Sequence, residues 1–269
     1  MAAILILILV GVVAFIGWSW SSWRDKRILA KTVPPDWLAR IREAIPFYDK
    51  LLQTKQQQLL DNIRLFLAKK RFYGCAGLVV TDRIRLTIAA QACLLLLNRK
   101  TSLYTRLKPI LVYPDAFISY HGRHNEDGTF SDHGNGLLGE SWHYGKIILS
   151  WDDVQRGVCN PHDGHNVVLP ELSHQLDSES GFANGAPVGH TNSYTTWASI
   201  LSYEFAGLTD GFQHHHTSVM DYYGATNPAE FFAVANETFF EKPDQLKGRH
   251  PALFEVLKTY YAVDPLAWQ

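Results

Sequence analysis

Apolar positions recur with a helical period along most of the chain, and the first stretch is the most apolar. Residues 2 to 17 carry no charge, and the run passes through Trp18, Trp20 and Trp23 before it meets Arg24, Asp25, Lys26 and Arg27. A helix of about 22 residues at roughly 1.5 Å per residue spans about 33 Å, enough for the hydrocarbon core of a bilayer. Positive residues follow the run and none precedes it, and the tryptophans stand where an interfacial aromatic belt would. The pattern predicts a transmembrane anchor over 2–23 with the rest of the chain on the cytoplasmic side, joined by a juxtamembrane linker over 24–35. A cleaved signal peptide fits less well: no basic segment leads the run, and no small-residue cleavage site ends it.

Beyond Pro34-Pro35 the period continues. Trp37, Ile41 and Ile45, then Leu59, Ile63, Phe66 and Leu67, predict two or three amphipathic helices between Asp36 and Lys70. Thr81-Asp82 is a suitable cap for a strongly apolar helix from Arg83 to Leu97, whose lack of charge after Arg85 predicts burial. Ile110–Tyr113 and Lys146–Trp151 read as strands. Between them Tyr120 to Glu140 is rich in Gly, Asp, Asn and His, with turn signals at Asp127-Gly128 and Gly134-Asn135-Gly136, and predicts a surface excursion. Its histidines, His121, His124 and His133, have no regular metal spacing. His214-His215-His216 lies in a connector, where consecutive side chains diverge, and predicts an exposed turn. Asn227 is a good N-cap, Pro228 suits the first helical position and Glu230 follows three residues after the cap, so a helix starts there. Leu253 to Tyr261 is a last short helix. No repeat and no second domain is evident, which predicts one α+β domain over 36–265, mostly helical with a small sheet.

Composition narrows the function. An apolar content of 46% is ample for a core, and a net charge of −1 gives no electrostatic case for nucleic acid or for a polybasic membrane surface. Any partner must be recognised by a site. Cys75, Cys93 and Cys159 are odd in number and form no Cys-x-x-Cys pair, which predicts buried, reduced thiols.

The candidate chemistry sits in Asn166-Val-Val-Leu-Pro-Glu-Leu-Ser-His-Gln-Leu-Asp177. A zinc peptidase helix carries His-Glu-x-x-His, two imidazoles one turn apart with a Glu as general base. Here Glu171 and His174 keep the base and the second imidazole, while Pro170 stands at the first. A further ligand must come from elsewhere, and Glu230 at the start of a second helix is the natural candidate. The same Glu230 also fits a capping box closing on Asn227, and spacing alone leaves both open.

Longer motifs run through the chain in one order: Ile45-Pro-Phe-Tyr48, Arg71-Phe-Tyr-Gly-Cys-Ala-Gly77, Leu86-Thr-Ile-Ala-Ala-Gln-Ala-Cys-Leu94, Leu111-Val-Tyr-Pro-Asp115, Leu149-Ser-Trp-Asp-Asp153 and Asn227-Pro-Ala-Glu-Phe-Phe-Ala-Val234. On these the soluble part resembles the Mlc titration factor A (MtfA) family of bacterial zinc metallopeptidases, whose zincin fold is related to the catalytic domain of the lethal-factor toxin. The resemblance implies a Zn2+ cofactor, peptide or protein substrates attacked in an aminopeptidase-like manner, and an inner-membrane location for an anchored member. It implies zinc ligands at His174 and Glu230 and at the position now held by Pro170. Glu171 would activate the water, and Tyr223 would stabilise the oxyanion. The family also binds the repressor Mlc, so an Mlc-like repressor is an implied partner.

Pro170 departs from the family pattern, and proline has no donor atom to offer. His165 precedes His174 by nine positions, about 900° of turn, and would face the opposite side of a continuous helix. Asp177 lies on roughly the right face, as a substitute ligand or as support for His174 at the helix end. In a helix interior the proline would also cost about 3 kcal/mol, so the helix either starts near it or kinks. Two functions follow: a metallopeptidase with an altered site, or a pseudo-peptidase that keeps the cleft as a protein-binding module.

Overall fold

Helix α1 (Trp37–Ala44) buries Ile41 and Ala44, and helix α2 (Gln53–Lys69) buries Leu59, Leu60, Ile63, Phe66 and Leu67, the stripe expected of an amphipathic helix on a core. Each fully buried Leu, Ile or Phe stabilises the fold by roughly 1.5–3 kcal/mol before entropy is counted. The computed structural model describes residues 19–268 apart from 21, 99–102, 116–144, 182 and 188–193. The excursion holding His121, His124 and His133 thus lies outside the described residues.

Strand β1 (Arg71–Gly74) leads to helix α3 (Asp82–Leu94), capped where Thr81 accepts the Ile84 N–H at 3.4 Å. From Leu86 onward α3 is buried on every side, in accord with its uncharged sequence. Strands β2 (Pro109–Tyr113) and β3 (Ile147–Ser150) complete a three-stranded sheet in the order β1-β2-β3. Both pairings are parallel, with Phe72 opposite Ile110 and Ile110 opposite Ile147. Parallel neighbours need long crossovers, here α3 between β1 and β2. Trp151, expected at a strand end, opens helix α4 (Trp151–Cys159), because the Ser150 hydroxyl accepts the Asp153 N–H at 3.2 Å and ends the strand.

The second half is helical. It comprises α5 (Val168–Asp177), α6 (Tyr194–Gln213), α7 (Pro228–Glu241), α8 (Pro243–Arg249) and α9 (Pro251–Tyr261). Helix α7 runs through the middle, buried from Ala229 to Glu241, and α5 packs along it. The chain is thus an α+β domain, mostly helical, with a small parallel sheet. Of the cysteines, Cys93 is buried as expected, but Cys75 is half-buried and Cys159 is exposed at the end of α4; all are free thiols.

The expected location in a bacterial inner membrane as a single-pass protein is not sustained. No helix among the described residues is long and apolar enough to cross a membrane. Residues 22–29 are helical, but this segment is short and carries Arg24, Asp25, Lys26 and Arg27. It is docked on α2: Asp25 pairs with Lys69 at 2.6 Å, and Arg64 donates to the carbonyls of Ile28 and Leu29 at 2.9 and 2.8 Å. Residues 2–18 and 21 of the expected anchor lie outside the described residues.

Candidate active site

Asn166 opens the site. Its Oδ1 accepts the N–H groups of Val168 and Leu169 at 2.9 and 3.0 Å, so it caps α5 although regular helix begins two residues later. Pro170 therefore falls in the first turn. There its missing N–H would have faced the carbonyl of Asn166, which precedes the helix, and no kink is needed.

Residues four apart share a helix face, so Pro170 and His174 point the same way, with Glu171 beside them. That face meets α7. His174 is 2% exposed and Glu230 5%, and His174 Nε2 lies 3.3 Å from Glu230 Oε2. Asn227 Oδ1 accepts the N–H groups of Ala229 and Glu230 at 3.0 Å each, so the cap is formed by Asn227 while the Glu230 carboxylate is engaged by His174. A capping role for the carboxylate is thereby replaced by a contact between helices.

Tyr223 stands on the 3-10 turn Tyr222–Ala225, where Asp221 Oδ1 accepts its N–H at 2.7 Å. It is 45% exposed. Burial of its ring, then the charges of Glu230 and Glu171, push the phenol up to about 12, so it remains an O–H donor. Pro170, Glu171, His174, Tyr223 and Glu230 all line one cleft of about 660 Å³. The structure thus brings Glu171, His174, Tyr223 and Glu230 together in one cleft.

Residues 20–262 match the family model for the glucose-regulated metallo-peptidase M90. The chain belongs to this family. It is 42% identical over 269 residues to an uncharacterized protein of Synechocystis sp., covering 98% of each chain. It is 31% identical over 235 residues to the Mlc titration factor A of Yersinia pestis and to that of Yersinia pseudotuberculosis, covering 86% of each chain. The resemblance drawn from the motifs is borne out at the level of the family.

Two ligand atoms on a tetrahedral zinc with bonds of about 2.0–2.1 Å stand roughly 3.3–3.4 Å apart. His174 Nε2 and Glu230 Oε2 have this spacing, both are buried, and their chemistry suits zinc. In this M90 member the third position faces Pro170, and among the described residues no group of three or more His, Cys, Asp or Glu is arranged to hold a metal. The residues fit the ion at two positions and leave the third without a protein donor.

Of the other acidic and imidazole side chains, Asp177 and His214 fall outside this cleft, whereas His165 enters it. Asp177 is fully buried and its Oδ2 accepts the Gly185 N–H at 2.6 Å, so it ties down the loop after α5. Burial raises its pKa to about 6 against the lowering effects of that N–H and of His174. His214 is exposed and bonded within its own helix end, Nδ1 to the Asp210 carbonyl at 2.9 Å. His165 corrects the helical argument: it precedes the helix, on a turn where its N–H meets Asp163 Oδ1 at 2.9 Å, and it does line the cleft.

Two residues escaped the sequence. Glu237 Oε1 accepts the Asn166 N–H, and Glu241 accepts from Asn166 Nδ2 and from the Gly164 N–H at 3.0 Å each, so α7 clamps the start of α5. Burial lifts Glu237 to about 8 and Glu241 to about 7. A signal was present: Glu230, Val234, Glu237 and Glu241 form one stripe of a mostly apolar helix, and carboxylates on a buried stripe require partners.

Proposed function

We propose that the chain is a zinc-dependent peptide hydrolase. The observation that carries this reading is the buried pair His174 Nε2 and Glu230 Oε2 at 3.3 Å, opposite Glu171 and Tyr223 in one cleft. Zinc held by His174 and Glu230 would supply Lewis acidity toward the peptide carbonyl. Glu171 takes the proton of the attacking water and returns it to the leaving amine, a role worth about 10²–10⁴ in rate. Tyr223, kept protonated, donates to the developing oxyanion. His165 and Asp221 wall the cleft in which the peptide lies. Hydrolysis of a peptide or aminoacyl reporter, dependent on added zinc, lost with chelator and lost in Glu171→Gln, is the expected result.

Pro170 favours a second reading, in which the cleft binds a protein without cleaving it. The Yersinia relatives are Mlc titration factors, which supplies the candidate partner, an Mlc-like repressor. Absence of turnover at saturating zinc, with retained binding of such a repressor, would select this reading over the first.

A further inference from the structure

We propose that Glu237 is the residue through which this cleft recognises a cationic nitrogen on its peptide ligand, either an α-ammonium group or a Lys or Arg side chain. The inference rests on the reading of the cleft as a peptide site. It concerns which peptides enter, and it does not require that they be cut.

Glu237 lines the cleft and is 6% exposed. Its Oε1 takes the Asn166 N–H, and its Oε2 has no hydrogen-bond partner among the described residues. That oxygen is open to the cleft on an otherwise buried side chain, so an arriving donor can meet it without displacing a protein partner. The surroundings fix the sign of that ligand. Asp153, Asp163, Glu171, Asp221 and Glu230 line the same walls, and the lining cation Arg156 is already paired with Asp152, at 3.2 Å, and with Asp153. The whole chain carries a net charge of only −1, so the cleft concentrates negative charge.

Position narrows the ligand further. Glu237 is two helical turns beyond Glu230, about 10 Å along the axis at roughly 1.5 Å per residue. An extended peptide advances about 3.3 Å per residue, so an α-ammonium at Glu237 lies about three residues from the His174–Glu230 pair. A long basic side chain reaches the same point from nearer residues.

The groups facing Glu237 set its response to pH. Glu241 and Asp221 raise it, Lys242 on its own helix and the Asn166 N–H lower it, and burial dominates, so the empty cleft holds it protonated up to about 8. An arriving cation displaces that proton and forms a charge-assisted pair. Glu237→Gln imitates the protonated form, keeps an acceptor for the Asn166 N–H and cannot ionise.

The test is equilibrium binding by fluorescence anisotropy in the presence of chelator, so that hydrolysis plays no part. Four C-terminally labelled hexapeptides combine a free or acetylated N-terminus with Lys or norleucine. We expect a cation-bearing peptide to bind at least about tenfold more tightly than the acetylated norleucine peptide, as a charged hydrogen bond allows. For the acetylated Lys peptide the preference grows from pH 6 to pH 9. In Glu237→Gln the preference disappears while affinity for the neutral peptide is unchanged. Loss of the preference on acetylation identifies the α-ammonium, and loss on the change to norleucine identifies the side chain. Equal affinity for all four peptides, binding of none, or a preference that survives in Glu237→Gln overturns the proposal. The pH trend in the unmodified protein decides the matter even if the variant fails to fold. Zinc-dependent turnover, assayed separately, reports on the hydrolase reading alone.

Discussion

The imidazole of His174 and the carboxylate of Glu230 meet at 3.3 Å across the seam between α5 and α7, with Pro170 one turn away on the same face of α5. Two donors are in place and a third is missing. Pro170→His should therefore bind about one equivalent of zinc, with affinity on the order of a hundredfold or more above the unmodified protein. Titration against a competing zinc chelator dye measures both. Equal affinity in the two proteins would show that the third bond comes from elsewhere.

Under the hydrolase reading Glu171, beside His174, is the base and not a ligand. In the Pro170→His background, Glu171→Gln should lower turnover of a peptide reporter by about 10²–10⁴ and leave zinc stoichiometry unchanged. Loss of zinc together with activity would move Glu171 from base to ligand.

Without metal, Pro170→His should change stability little. A proline in a helix interior costs about 3 kcal/mol, and its removal would raise the melting temperature markedly. Asn166, however, caps the helix just upstream, so Pro170 occupies the first turn, where its ring is tolerated. Thermal unfolding in chelator should place the two proteins within about 1 kcal/mol of each other.

The same cap explains what could be read from the sequence. The start of α7 was legible because Asn227, Pro228 and Glu230 obey local capping rules, and the His174–Glu171 spacing follows from helix geometry alone. The position of His165 was not, because a helix continuous through it would turn it away from His174, and only the Asn166 side chain fixes where α5 begins. Glu237 and Glu241 are a different case: their stripe on a buried helix announces that they need partners, but those partners, Asn166 and Gly164, are distant in sequence and nothing local identifies them. The parallel sheet was half legible. The strands Pro109–Tyr113 and Ile147–Ser150 stand out as apolar runs, whereas Arg71–Gly74, with its mostly exposed side chains, is a strand by virtue of its pairing with β2.

Asn166 carries the clamp, and its removal should be felt in both stability and site geometry. Asn166→Ala deletes the acceptor for Val168 and Leu169 and the donor to Glu241. A lost cap costs about 1 kcal/mol, and a buried carboxylate oxygen left unpaired adds about 1–3 kcal/mol. Chemical denaturation should show a loss on the order of 2–4 kcal/mol. A loss under about 0.5 kcal/mol, the usual range for surface changes, would mean that water replaces the clamp at no cost.

The clamp also fixes how stability varies with pH. Glu237 is raised from 4.5 to about 8 and Glu241 from 4.5 to about 7, chiefly by burial. Between the unfolded and folded values the native state holds protons that the unfolded chain has released, so stability must fall as pH rises. For Glu237 the decline runs from pH 4.5 to about 8 and then levels; for Glu241 it ends near 7. Together they should make the protein less stable at pH 9 than at pH 6 by an amount on the order of a few kcal/mol. Glu237→Gln removes its share, since the amide is neutral throughout, and should flatten the slope between pH 7 and pH 8, where Glu241 has largely completed its titration. Melting temperatures of both proteins across pH 5 to 9 provide the comparison. A flat profile in the unmodified protein, unchanged by Glu237→Gln, would mean that these carboxylates are ionised in the native state at neutral pH, and that the Asn166 N–H and Lys242 outweigh their burial.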